Sequence, residues 1–256
     1  MKTWRYIVDG SQTASFNMAA DAYLLEYAAS PDSIPVLRLY DWDIPSITIG
    51  YHQTFERAVR IDRLGTTPVV RRVTGGRALL HGVNDITYSV SADFLRFPEL
   101  GETMAERYRA ISDGIVAFYH AIGWEAHMSR RDAPVSLSGN RHIQKGCFAA
   151  VSQYEISIGR AKMAAGSQRY TKQEFIQHGT IMIGPPHQHP AILNPADGAD
   201  SDTISMTREI YGKRYDLLSS SVARRFDARL EAKPFSPSEL RRIAEIETGF
   251  ENLNKG

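Results

Sequence analysis

The chain has one cysteine, Cys147, set in Gln144-Lys145-Gly146-Cys147-Phe148. A lone thiol forms neither an internal disulfide nor a multi-cysteine metal site, so Cys147 is either a small buried hydrophobe or a nucleophile. Lys162, which follows the turn at Gly159-Arg160, is a cation suited to the second role. An ammonium beside a thiol favours the thiolate, lowering its pKa from a free value of about 8.5, and it steadies the oxyanion formed when a thioester carbonyl is attacked. A solvent-facing charge is the plainer reading of the same lysine.

A second segment with chemical content is Arg71-Arg72-Val73-Thr74-Gly75-Gly76-Arg77-Ala78-Leu79-Leu80-His81. Paired glycines after a strand let the backbone approach a partner closely, and adjacent arginines can hold an anion. A hairpin turn with solvated arginines is the alternative. No Gly-Lys-Ser/Thr follows, so it is not a P-loop, and the third glycine of a dinucleotide fingerprint is missing. His81 and His178, the latter in Ile176-Gln177-His178-Gly179-Thr180, are candidates for structural, pocket-lining or general-base work. His187 and His189 lack a third ligand of suitable type and spacing, so no metal site is expected.

These residues need a scaffold, and the hydrophobic pattern outlines one. Ser15 to Ala29 reads as a helix with Phe16, Ala19, Ala20, Tyr23 and Tyr27 on one face, broken by Pro31 and Pro35. Val36–Tyr40 and Ile47–Ile49 read as strands joined by a turn around Asp43, Ile44 and Pro45. Val69 and Val70 form another strand that ends in Arg71 and Arg72. Ile86, Tyr88 and Val90 alternate with Thr87 and Ser89, the period of a half-buried strand. The clearest helix runs from about Glu102 to Ile122, with Met104, Tyr108, Ile111, Ile115, Phe118 and Ile122 as its core stripe and Gly123 to end it. Ser129 to Gly146 is a long polar connection without period, ending at Cys147. Tyr154, Ile156 and Ile158 suggest a strand, and Gly179 to Ile183 a second apolar run. Leu217 to Leu230 and Ser236 to Glu247 read as mostly helical, the latter starting at Ser236-Pro237-Ser238-Glu239. Strands and helices intermix without regular alternation. The expectation is an α+β fold with a mixed, mostly antiparallel sheet and flanking helices.

At 256 residues the chain suits one large domain or two small ones, and 30 basic against 29 acidic side chains argue against bulk binding to nucleic acid or anionic membrane. A single cysteine suits a reducing compartment, and the first ten residues hold no apolar signal core. A cytoplasmic protein is expected.

Taken together, these segments resemble the biotin/lipoate protein ligase and octanoyltransferase superfamily. The resemblance begins at Trp4 and Phe16-Asn17-Met18-Ala19. It passes through Pro35–Tyr40 and Ile49-Gly50-Tyr51 and reaches Gln177-His178-Gly179-Thr180. Its most specific block is Arg71–His81, similar to an Arg-Arg-x-Ser/Thr-Gly-Gly-Gly/Arg-Ala-x-x-His signature, followed by Ile86–Val90. The resemblance implies an organisation in which residues 1–30 hold an N-terminal helix packed on the core, 31–220 the catalytic domain of biotin/lipoate ligase type, and 221–256 a C-terminal helical extension. It also implies a medium-chain acyl pocket shaped by Arg72, Thr74, Gly75, Gly76, His81, Gly166, Ser167 and His178, with Lys162 facing the reacting carbonyl.

Within that superfamily, Cys147-Phe148, Lys162 and Arg77 in place of a third glycine resemble the octanoyltransferase branch, which uses an acyl group already activated as a thioester. The implied reaction passes octanoyl from acyl carrier protein to Cys147 and then to a lysine of an apo lipoyl domain. Acceptors would be glycine cleavage H protein or 2-oxoacid dehydrogenase acyltransferase subunits; neither nucleic acid nor membrane is a partner. No cofactor is implied, and ATP is not expected. Arg71, Arg72 and Arg141 are candidates for docking these acidic partners. Alternatives are an ATP-dependent lipoate ligase in which Cys147 is incidental, a lipoyl amidotransferase, and a non-catalytic binder of acylated carrier. Two departures stand out: Ala165 occupies a usual glycine place between Lys162 and Gln168, and Gly184-Pro185-Pro186 stands where an acidic loop is usual.

Overall fold

Every residue of Ile86–Asp93 is buried, although apolar and polar side chains alternate along it. Such a strand must have both faces covered, and the polar face must supply hydrogen-bond partners. The computed structural model, which describes residues 1–82, 85–128, 155–159, 161–183, 208–250 and 253, places this strand at the centre of a large sheet. In chain order the strands are β1 (Lys2–Gln12), β2 (Val36–Trp42), β3 (Ser46–Ile49), β4 (Val69–Arg71), β5 (Leu79–His81), β6 (Ile86–Asp93), β7 (Ala126–Met128), β8 (Ile156–Ile158), β9 (Ala161–Tyr170), β10 (Glu174–Ile181) and β11 (Ala228–Ala232). The helices are α1 (Ala14–Ala28), α2 (Phe55–Ala58), α3 (Met104–Ala121), α4 (Arg208–Gly212), α5 (Arg214–Arg225) and α6 (Pro237–Glu247).

The large sheet has the order β11-β1-β2-β6-β10-β9-β8-β7. β1 runs parallel to β11 and β2, and the remaining neighbours are antiparallel. A second sheet, β4-β3-β5, carries its own small core of Ile47, Ile49, Val69 and Leu80. This is the mixed, mostly antiparallel α+β arrangement expected. β2 and β3 are joined through Asp43–Pro45 yet belong to different sheets, so the chain turns a corner there instead of closing a hairpin.

One face of the large sheet packs its apolar residues, Tyr88, Val90 and Phe175 among them, against Ile111, Ile115 and Phe118 of α3 and Leu218 and Val222 of α5. α3 starts with a reciprocal capping box between Thr103 and Glu106, and Gly123, at φ 84°, follows its end. The opposite face packs against α1, which is held in turn by α6.

The termini differ from the sequence expectation in two respects. Residues 1–30 open with a strand, β1, before the helix, and 221–256 includes β11 paired to β1. The run expected to stay helical to Leu230 ends at Arg225, where Asp227 adopts φ 47° and turns the chain into β11. The long connection 129–146 with Arg141, Cys147, Phe148, Tyr154, Arg160, His187 and His189, and the Gly184–Pro186 stretch, lie outside the described residues.

Candidate active site

The register of the sheet lines up two rows of side chains toward α1. Arg38, Ser89, His178 and Ser167 are successive partners across β2, β6, β10 and β9, and Tyr40, Thr87, Thr180 and Ala165 form the next row. The small sheet lies over these rows, and between them is a cavity lined by residues of both sheets.

Backbone proximity shapes its wall. A β-carbon on Gly50 would overlap the Gly76 carbonyl, so the turn after β3 and the glycine turn after β4 touch only because position 50 is glycine. Gly76 itself sits at φ 92°. On β10, a β-carbon at Gly179 would run into Ala165 and Gly166 of β9. Arg72 then fastens the turn from beneath. Its guanidinium donates to the carbonyls of Gly75 (2.8 Å), Arg77 (2.7 Å) and Thr48 (3.2 Å). Arg71 likewise donates to the carbonyls of Gly50 (3.1 Å), Tyr51 (3.0 Å) and Gln53 (2.5 Å). The expectation that Arg71 and Arg72 dock acidic partners is therefore revised: Arg72 is buried and both arginines hold backbone in place.

Thr74, at the head of the glycine turn, is buried and bonded to both strands of the opposite wall. Its Oγ1 lies 2.6 Å from Ser167 Oγ and 2.5 Å from His178 Nε2. His178 Nδ1 is 2.8 Å from Asp21 Oδ2 on α1. Asp21 also accepts from Arg38 (2.9 Å) and Tyr40 (2.8 Å), and Arg38 reaches on to Asp9 (2.5 Å) and Asn17 Oδ1 (2.8 Å). Burial alone would raise the Asp21 carboxyl, but the His178 hydrogen bond and the Arg38 charge outweigh it and hold the group below its usual range. His81 stacks on Trp42 with ring centroids 4.0 Å apart, and its nitrogens meet Thr48 Oγ1 at 2.9 Å and Thr180 Oγ1 at 3.0 Å.

Of the residues expected to bind an acyl group, Arg72, Gly76, His81, Gly166, Ser167 and His178 line this cavity, and Thr74 ties its two walls. Gly75 contributes its carbonyl to Arg72. Ala165, the departure from the usual glycine, is also in the wall, with Met18 and Tyr40 beside it. Lys162 is buried on β9, and its Nζ is 2.5 Å from Glu155 Oε1. Cys147, expected as its nucleophilic neighbour, is outside the described residues. Among those described, no group of three His, Cys, Asp or Glu side chains is placed to hold a metal, and no helix is long and apolar enough to cross a membrane.

Asp21, Arg38, Tyr40 and Glu155 were not singled out from sequence. For Asp21 a signal existed: Asn17, Asp21, Leu24 and Ala28 share one helical face and all are buried. A carboxylate on such a face needs a partner.

Comparison with known proteins gives this geometry a family context. Residues 13–209 match the lipoyl protein ligase A/B catalytic domain. The chain is 34% identical over 186 residues to an octanoyltransferase LipM of Lysinibacillus sphaericus, covering 72% of this chain and 67% of that one. It is 36% identical over 185 residues to an octanoyltransferase LipM of Bacillus cereus, covering 70% and 65%. It thus spans about two thirds of the length of these relatives. Among solved structures, a T. acidophilum protein described as a lipoate protein ligase, with lipoic acid bound, is similar in fold at a TM-score of 0.74 and 17% identity, over 97% of this chain and 96% of that one. A lipoate-protein ligase A bound with ATP is similar at a TM-score of 0.73 and 17% identity, over 97% and 95%. The chain belongs to the lipoyl protein ligase A/B catalytic domain family.

Proposed function

We propose that the chain is an octanoyltransferase of lipoate biosynthesis, moving octanoyl from acyl carrier protein to a lysine of an apo lipoyl domain through a thioester on Cys147. The observation that carries this reading is the cavity walled by the Thr74–Gly76 turn, β9 and β10, in a chain whose relatives at 34–36% identity bear the name octanoyltransferase. Its hydroxyl and imidazole groups gather where Thr74, Ser167 and His178 meet.

In the first half-reaction the Cys147 thiolate attacks the carbonyl carbon of octanoyl-acyl carrier protein, and the carrier thiol leaves. In the second, a lysine amine of the lipoyl domain attacks the octanoyl-enzyme, an amide forms, and the cysteine is released. Exchange of one thioester for another is nearly neutral in free energy, and conversion of a thioester to an amide runs downhill, so ATP has no part. Lys162 favours the thiolate and stabilises the carbonyl oxygen. Glu155 beside it keeps that ammonium oriented. Glycine cleavage H protein and 2-oxoacid dehydrogenase acyltransferase subunits are the proposed acceptors, and the cytoplasm the proposed compartment.

The test is intact mass after incubation with octanoyl-acyl carrier protein without ATP. An octanoyl adduct that disappears in Cys147→Ser is expected. Labelling of a lipoyl domain only with ATP and free lipoate would replace this reading with a ligase; an adduct that never passes on would leave a carrier binder.

A further inference from the structure

Both ring nitrogens of His178 are engaged, Nδ1 by Asp21 and Nε2 by Thr74, so the imidazole meets the cavity with no free nitrogen. The hydrogen bonds have a direction. Asp21 already accepts from Arg38 and Tyr40, and as a carboxylate it takes the Nδ1 proton of His178 as well. Nε2 of the neutral ring is then an acceptor, Thr74 must donate to it, and Ser167 must donate to Thr74. The Ser167 hydroxyl therefore turns its lone pairs to the cavity it lines. When the imidazole takes a proton, the bonds between His178 Nε2 and Thr74 and between Thr74 and Ser167 reverse, the Nδ1 bond to Asp21 stays as it is, and Ser167 becomes a donor toward the same space.

Building on the octanoyl-transfer reading above, we propose that Asp21, His178, Thr74 and Ser167 form a proton relay that takes the proton from the attacking amine of the acceptor lysine. The lysine arrives as the free amine. As its nitrogen bonds to the thioester carbon, its proton passes to Ser167 Oγ, the Ser167 proton to Thr74 Oγ1, and the Thr74 proton to His178 Nε2. The resulting imidazolium lies against the Asp21 carboxylate. Collapse of the tetrahedral intermediate breaks the carbon–sulfur bond, its electron pair goes to the Cys147 sulfur, and the proton returns along the same path to that thiolate. Ser167 is the contact residue; Thr74, His178 and Asp21 act through it. Lys162 lies five residues away on β9 and serves the thiol and the carbonyl oxygen instead.

The charged and titratable groups around His178 are Asp21 on α1, Arg38 and Tyr40 on β2, Arg72 across the cavity and Arg169 farther along β9. His81 lines the same cavity, so the test has to separate the two imidazoles.

Substitution at Thr74 does separate them, because it cuts the relay and leaves both rings in place. The experiment loads the protein with octanoyl-acyl carrier protein, isolates the octanoyl-enzyme, and follows single-turnover transfer to an apo lipoyl domain, with loading measured separately. Thr74→Val is expected to slow transfer about a hundredfold, the usual scale of general acid–base help. Loading should slow far less. Thr74→Ser, which keeps the hydroxyl, is expected to restore most of the rate. Transfer by Thr74→Val at the unsubstituted rate overturns the relay. So does equal slowing of loading and transfer. Failure of the unsubstituted protein to form any adduct brings down the thioester reading, and the relay with it.

Discussion

Toward α3, β6 presents Tyr88 and Val90 and β10 presents Phe175 and Ile181; toward α1, the same strands present Thr87 and Ser89, His178 and Thr180. The first face is held by burial, which has no direction and tolerates exchange among apolar shapes. The second is held by hydrogen bonds and ion pairs among Arg38, Asp21, Asp9, Asn17, Tyr40 and His178, each of which needs a particular partner at a particular angle. The cavity lies on the second face. A pocket that orients a carbonyl and an amine needs convergent polar atoms, and that face has them already fixed.

The largest test of this contrast is Arg38→Met. Arg38 is fully buried, with its guanidinium 3.9 Å from the Tyr40 ring centroid and two carboxylates on its nitrogens. Removing one member of a buried ionic cluster leaves the others uncompensated, and a loss of about 3–5 kcal/mol in urea unfolding is expected. A loss below about 1 kcal/mol would mean that the polar face is no more demanding of partners than the apolar one.

The apolar face was the legible one. The stripe of α3 and the glycine that ends it can be read directly, because a helix places its core residues and its stop within a few positions of each other. β9 escaped, since Ala161–Tyr170 contains Lys, Gly, Ser and Gln and lacks β-branched residues; it is a strand because β8 and β10 flank it. β11 escaped because Ala-Arg-Leu-Glu-Ala has helical propensity, overridden by pairing with β1. In the site, Arg72, Gly76 and His81 are visible as one linear motif. Asp21 and His178 are 157 positions apart and meet only through the sheet register.

A smaller effect is expected at the rim of the polar side, where Arg5 on β1 clamps Glu239 of α6 at 2.6 Å. Burial would raise the Glu239 carboxyl, but the Arg5 hydrogen bond, the Ser236 backbone and the Arg5 charge hold it at about 2. Because the folded value is depressed from 4.5, the contribution is complete above that pH and is lost as pH falls through about 2. Glu239→Gln should cost about 2 kcal/mol at neutral pH and flatten the fall in stability between those limits. An unchanged acid unfolding profile would remove this pair from the comparison.

Mirror substitutions sharpen the contrast on a single strand. Thr87→Val keeps the shape but strips the acceptor from the Trp42 indole N–H, now 2.8 Å away, whereas Val90→Thr puts a hydroxyl among apolar neighbours. Each should lose about 1–2 kcal/mol by urea midpoint, since both leave a buried polar group unpaired. If either is neutral, the face it belongs to is more permissive than its neighbours imply.

The smallest effect has the opposite sign. Ser89 lies between Arg38 and His178 in the register, yet its buried hydroxyl has no hydrogen-bond partner among the described residues, and Ser91 two positions on is the same. A buried hydroxyl without a partner forfeits its hydration and receives nothing in exchange. Ser89→Ala and Ser91→Ala should therefore be neutral or stabilise by up to about 1 kcal/mol, read as a rise in the urea midpoint at constant slope. Ser89→Ala destabilising by a similar amount would show that its hydroxyl anchors an internal water within the Arg38–His178 cluster, which would make the polar face even more completely paired than its direct contacts indicate.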